Sequence, residues 1–288
     1  MRVALLFLSL FVAGLSAQPA PRNFLWKVEG PGGAVAYLLG SLHVLTAESY
    51  PLSPTINKAF DESKTLVEEI DLDEAADPAM MMSALGKAML TDGKTLDQLV
   101  SPELFAEVKK RAEQFGLPMM AIQRMKPWLV AVTLMAPTLQ KAGFKPELGI
   151  DRHFFDRAKA NGMKRQALET LAYQLDRFDQ LSPKLQEDLL KSTIEELDTQ
   201  VSGVQEMAQA WTFGNVAAME KFTLAELLES PELYKRLLVE RNNNWIPHVE
   251  GCLKDNAGCF IVVGAAHLVG PDGLPTLLQK KGYKIAQQ

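Results

Sequence analysis

Cysteine and histidine are scarce in this chain: two and four residues out of 288. Two cysteines cannot build the disulfide framework that holds small secreted domains together, and no C-x-x-C pair or third cysteine is present for a structural zinc site. Basic residues are not in excess either, with 30 Lys and Arg against 35 Asp and Glu and a formal net charge of −5. They form no run long enough to track phosphates, which argues against nucleic acid or anionic lipid as a partner. No apolar stretch reaches the ~20 residues that cross a bilayer, since Trp128 to Leu139 is interrupted by Pro137. Glycine (19) and proline (16) are too few for a low-complexity chain. A chain of this length buries about 70–75% of its unfolded surface and folds without staples.

The amino terminus carries its own signal. Met1-Arg2 is a short positive start, Val3 to Val12 is apolar apart from Ser9, and Ala13 to Ala17 supplies small residues before Pro19 and Pro21. That pattern reads as a secretory signal peptide over residues 1–17, with an uncleaved amphiphilic anchor as the alternative. Residues 18–288 are then expected to form one exported domain, periplasmic or secreted, with no membrane span. Cys252 and Cys259 flank a turn-forming Asp255-Asn256-Ala257-Gly258. In an oxidising compartment this pair is expected to form a disulfide, clipping the end of a helix to the next strand.

Strand-like apolar runs occur at 24–28 and 35–39, where the punctuation between them predicts a hairpin, and again at 65–70, 165–168, 260–263 and 283–286. Helical periodicity fills most of the rest, opening at Ser53-Pro54 and Ser101-Pro102. It predicts a long helical insertion at about 76–143 and further helices at 149–162, 170–180, 183–198, 203–228 and 231–254. The fold class is α/β, with α+β as the alternative: a small central mixed sheet among many helices. The methionines of the insertion (Met80, Met81, Met82, Met89, Met119, Met120, Met125, Met135) read as adaptable core filler, with a substrate groove as the other reading.

Two of the four histidines share one local pattern. Gly40-Ser41-Leu42-His43 and Gly264-Ala265-Ala266-His267 each follow an apolar strand. By chance, G-x-x-H at two of four histidines is roughly a 2–3% event at ordinary glycine frequency. The glycine is expected to let the chain turn sharply past the strand end and present the histidine at the carboxyl edge, where open α/β sheets bind ligands. Acids end two other strand candidates, in Glu68-Glu69 and at Glu169. Strand alternation would let only one of Glu68 and Glu69 face a strand-end pocket. Two histidines and two glutamates form a donor set that suits Zn²⁺, Mn²⁺, Fe²⁺ or Co²⁺ with water positions left open. Arg241 has no acid on its own helix face. It is free to take a partner from elsewhere in the fold, stack on Trp245, or hold a carboxylate or oxyanion.

These residues resemble the TraB/GumN family, which includes the pheromone-shutdown protein PrgY and the animal TIKI proteases. The resemblance runs through Leu25-Trp26-Lys27-Val28, Gly40 to His43, Leu66 to Asp71, Gly149-Ile150-Asp151, Leu168-Glu169-Thr170, Arg241 to Trp245 and Val263 to Gly273. It implies a fold related to erythromycin esterases and ChaN-like haem-binding proteins. The activity implied is a metal-dependent, peptidase-like hydrolase acting on an amide or ester bond, with Mn or Co favoured and Zn or Fe as alternatives. His43, His267, Glu69 and Glu169 would bind metal; Glu69, Glu169 and Arg241 would serve catalysis, a glutamate as general base and Arg241 at the oxyanion. The partner expected is a peptide or small-molecule substrate. The competing reading is a non-catalytic periplasmic binding protein that sequesters a peptide, metal or haem.

Overall fold

Six strands make one sheet in the order β4-β3-β5-β2-β1-β6. They are β1 (Leu25–Glu29), β2 (Val35–Ser41), β3 (Thr65–Glu68), β4 (Lys164–Ala167), β5 (Cys259–Gly264) and β6 (Lys284–Gln287). The computed structural model describes residues 22–91 and 93–288, so the expected signal peptide lies outside the described residues. Strands β2, β5, β3 and β4 run parallel, while β1 pairs antiparallel with both β2 and β6. The fold is α/β with a mixed sheet, as the sequence predicts.

Burial explains which strand sits where. β5 reads Cys-Phe-Ile-Val-Val and is buried on both faces, as a central parallel strand covered by helices must be. The edge strands β4 and β6 read Lys-Arg-Gln-Ala and Lys-Ile-Ala-Gln and alternate exposed with half-buried. The β1–β2 hairpin closes through Gly32 and Gly33, whose φ of 69° and 83° lies where side chains are disfavoured. Helix starts follow one chemistry: Ser53, Asp77, Ser101 and Ser182 each accept a hydrogen bond from the first-turn backbone, and each is followed by proline.

The helical insertion separates β3 from β4 and contributes to a second core. Around the sheet, Phe24, Phe60, Phe154, Trp245 and Phe260 are essentially inaccessible. Away from it, Leu96, Val108, Ile122, Val130 and Leu134 pack with Leu190 and Ile194 of the Pro183–Glu196 helix. The core-filler reading of the methionines holds for Met119 and Met125, which rest against this second core. It fails for Met81, Met82 and Met120, which are 49%, 69% and 79% exposed. The Pro78–Ala88 helix fully buries only Ala88 and half-buries Met80, so Met81 and Met82 have no interior to fill.

Cys252, near the end of the Glu240–Lys254 helix, is joined to Cys259, the first residue of β5. This is the clip expected from the spacing. Closing so short a loop removes little chain entropy, on the order of 2–3 kcal/mol. Replacing both cysteines with serine is expected to lower the unfolding free energy by about that amount in urea titrations and leave the native circular dichroism intact. An unchanged midpoint would show that the clip contributes nothing to stability.

Candidate active site

Each of the four parallel strands ends beside one predicted site residue. His43 follows β2, Glu69 follows β3, Glu169 follows β4, and His267 lies in the 3-10 turn after β5. Parallel pairing sets Ser41 opposite Gly264, Glu68 opposite Val262 and Glu68 opposite Ala167. The β3–β4 pairing extends past the strands, since the Leu168 N–H donates to the Glu68 carbonyl (2.8 Å) and that of Glu169 to the Glu69 carbonyl (2.9 Å). All four residues therefore share the carboxyl edge of the sheet, the ligand edge of open α/β folds.

The motif glycines act by close approach, which corrects the sharp-turn expectation. Gly40 lies within β2 and Gly264 is the last residue of β5, and neither has a positive φ. A Cβ on Gly40 would sit 2.3 Å from the Phe24 ring, and one on Gly264 would sit 3.3 Å from Glu69 Oε1. At Gly264 the backbone itself is used, since its N–H donates to Glu69 Oε1 at 2.7 Å.

Arg241 joins three of these residues. Its helix, Glu240–Lys254, follows a π-helical turn at Lys235–Val239, a distortion that often accompanies functional residues. The Arg241 side chain donates back to the Leu237 carbonyl in that turn at 3.3 Å. The guanidinium donates to Glu69 Oε2 and to Glu169 Oε1, the latter from Nη2 at 2.7 Å and from Nε at 3.0 Å. Its Nη1 lies 3.0 Å from His267 Nε2. Trp245 stacks on the guanidinium at 4.7 Å and donates its indole N–H to Glu169 Oε2 at 3.1 Å. Gln174 adds a 2.8 Å bond to Glu69 Oε2. The acids that Arg241 lacked on its own face come from two strand ends.

Asn242 sets the tautomer of His267. Its amide nitrogen donates to the Asp272 carbonyl at 2.7 Å and faces the His267 carbonyl at 3.4 Å, so its oxygen points at His267 Nδ1, 2.6 Å away. Nδ1 then carries the proton, and Nε2 accepts from Arg241. Burial holds His267 neutral, pushed down to about 3, with the charges of Arg241 and His43 adding to the effect against Glu69. For Glu69, burial disfavours the charge, but Arg241 foremost, with His43 and the Gly264 N–H, outweighs it and holds the carboxyl down at about 2. Arg241 also loses hydration, yet the two glutamates hold its proton more tightly than usual.

His43 stands apart from this cluster. It lines an open cavity of about 250 Å³ together with Glu68, Glu69, Ile70, Leu72, Asp151 and Gln174. Its Nδ1 is 2.9 Å from Asp151 Oδ2, and its side chain is 71% exposed. The Asp151 carboxylate raises His43 to about 9 against some desolvation. Asp151 arrives in the first turn of the Ile150–Ala160 helix, whose start is tied to the His43 loop by the Ile150 N–H to Leu42 carbonyl bond of 3.0 Å. Gly149 permits that approach, since a Cβ there would meet the His43 carbonyl oxygen at 2.3 Å.

Glu68 also lines the cavity, which corrects the alternation argument. β3 ends at Glu68 and the chain bends after it, so Glu69 does not continue the strand's period of two and both glutamates reach one pocket. Glu68 is buried with no partner for Oε1. Burial pushes it up to about 9, with Asp151, Asp71 and Asp156 adding to the shift against Arg165. Glu68, Asp151, Gln174 and Asn242 are the functional side chains the sequence reading left unassigned. The signal for Asp151 was its place in Gly149-Ile150-Asp151, a helix start with an acid in its first turn.

The expected metal donor set does not fit a metal in this arrangement. Glu69, Glu169 and His267 Nε2 converge on the Arg241 guanidinium, and His43 is directed to Asp151. Among the described residues, no group of three or more His, Cys, Asp or Glu side chains is placed to hold a metal ion. A cation already stands between these donors, and it is the arginine.

Comparison with known proteins gives the following. The family model of the TraB/PrgY/gumN family matches residues 24–287. The uncharacterized protein YbaP of Shigella flexneri and that of Escherichia coli K12 are each 26% identical over 250 residues, covering 86% of this chain and 89% of theirs. No solved structure matches significantly.

Replacing Arg241 with methionine is expected to destabilise the fold by about 3–5 kcal/mol at neutral pH, because two carboxylates stay buried without their cation. The contribution of Glu69 is present above its unfolded value near 4.5 and is lost as pH falls toward about 2. The gap between wild type and Arg241→Met should therefore narrow with acid in urea titrations. A gap under about 1 kcal/mol at pH 7 would contradict the assignment of Arg241 as the charge holding this cluster together.

Proposed function

The chain belongs to the TraB/PrgY/gumN family, and we propose that it is an exported hydrolase of the peptidase type, cleaving an amide or ester bond at the carboxyl edge of its sheet. The observation that carries this reading is the His43–Asp151 pair at a cavity whose wall is Glu69, itself fixed by Arg241. The Cys252–Cys259 disulfide supports the exported, oxidising setting.

Asp151 holds the His43 ring by Nδ1 and favours the imidazolium, leaving Nε2–H toward the cavity as a general acid. Glu69 stays ionised and orients the attacking water. The water oxygen adds to the carbonyl carbon as one of its protons passes to solvent. The bond to the leaving nitrogen or oxygen breaks as His43 gives that atom a proton, and solvent reprotonates His43. Because Glu69 is held near 2, it is a weak base, and its contribution is chiefly orientation. Arg241 has its N–H groups engaged by Glu69, Glu169, His267 and the Leu237 carbonyl, so it acts as the fixed positive centre of the wall.

A panel of fluorogenic peptides and aryl esters tests the reading. Wild type is expected to turn over at least one of them, and His43→Ala to lose about 10²–10⁴-fold in kcat/KM while melting cooperatively near the wild-type temperature. Activity should fall as pH rises through about 9, where His43 loses its proton. Activity surviving His43→Ala would overturn the mechanism, and saturable binding without turnover by wild type would favour the sequestering protein instead.

A further inference from the structure

We propose that the cavity beside His43 is a subsite for an organic ammonium group, the charged end of a lysine-like side chain on the substrate. The side chains that line it include three acids, Glu68, Glu69 and Asp151, beside His43, whose charge Asp151 balances, and no lysine or arginine among the described residues. These acids differ in how far they are satisfied. Glu69 has Arg241, Gln174 and the Gly264 N–H. Asp151 faces the His43 ring at 2.9 Å. Glu68 is 5% exposed, and its Oε1 is buried without a hydrogen-bond partner. The positive charge that acts on Glu68 is that of Arg165, whose guanidinium is bonded to Asp73 at 2.9 Å. A buried carboxyl oxygen left without a donor is unusual in a native fold and calls for one.

An ammonium matches what is missing. It brings three N–H donors and a compact charge, and Glu68 and Asp151 both line the cavity it would occupy. Ile70 and Leu72 supply apolar wall for the methylenes of its stem, which suits a side chain that keeps an apolar body and a charged tip. The cavity, about 250 Å³, is large enough for that group. The assignment of this group to a substrate rests on the hydrolase reading above, whereas its binding does not.

Binding is therefore measured apart from turnover. Nα-acetyl-lysine amide and its neutral counterpart Nα-acetyl-norleucine amide are titrated by NMR into the wild-type chain, Glu68→Gln and Asp151→Asn, with thermal melts as the control for folding. The wild type is expected to bind the lysine probe at least tenfold more tightly than the norleucine probe. In Glu68→Gln, which keeps the shape and removes the carboxyl that a bound ammonium would ionise, that preference should shrink to threefold or less, and Asp151→Asn should also reduce it. Equal binding of the two probes by wild type, or an undiminished preference in both variants, would overturn the proposal. Preferential binding of alaninamide, whose only ammonium is its α-amine, would overturn the side-chain assignment. Mn²⁺ binding that disappears in Glu68→Gln while no amine binds would identify a metal site instead. Hydrolysis can fail while this preference stands, which separates failure of the catalytic reading from failure of the subsite.

Discussion

The charge of Arg241 is the constraint on which the rest of this site depends. Glu69 and Glu169 lie at the ends of adjacent parallel strands, both nearly inaccessible, and two carboxylates so placed repel each other and lose hydration. A single guanidinium offers enough donors in fixed geometry to satisfy both and still reach His267 and the Leu237 carbonyl. It thereby ties the β3 and β4 ends, the turn after β5 and the Glu240–Lys254 helix into one unit. Trp245 covers the guanidinium face and also packs on the His267 ring at 4.4 Å, which keeps water from competing for these bonds.

One tetrapeptide pattern serves opposite ends in this fold. His267 is buried, neutral and directed at Arg241, pushed down to about 3, whereas His43 is open to solvent and raised to about 9. Nothing in G-x-x-H distinguishes them. The difference comes from what the fold brings to each ring: Asn242 and Arg241 to one, Asp151 to the other. One histidine helps hold the site together, and the other faces the cavity with a proton to give.

This division shows what was legible in the chain. Local patterns suffice for strands, capped helices, the Cys252–Cys259 clip and the placement of His43, Glu69, Glu169 and His267 at strand ends, because each rests on residues near in sequence. Arg241 stood out because its helix face offered it no acid. Its real partners come from far away, 172 residues in the case of Glu69. Asp151 lies 108 residues from His43, so their pairing follows from the helix start that Gly149 lets approach, not from any spacing. The role of Gly40 depends on Phe24 of the neighbouring chain segment, and a period-of-two argument for Glu68 and Glu69 fails because the strand stops between them. The exposed Met81 and Met82 belong to a helix whose burial only the tertiary packing decides.

The central claim is that an arginine, and not a metal ion, stands between Glu69, Glu169 and His267. The most direct measurement is a pair of crystal structures of the chain, one grown with chelator and one soaked in Mn²⁺, with anomalous diffraction collected at the manganese edge. The account predicts the Arg241 guanidinium bonded to both glutamates in each structure and no anomalous peak between them. A manganese peak coordinated by Glu69, Glu169 and His267, with Arg241 swung aside, would contradict it.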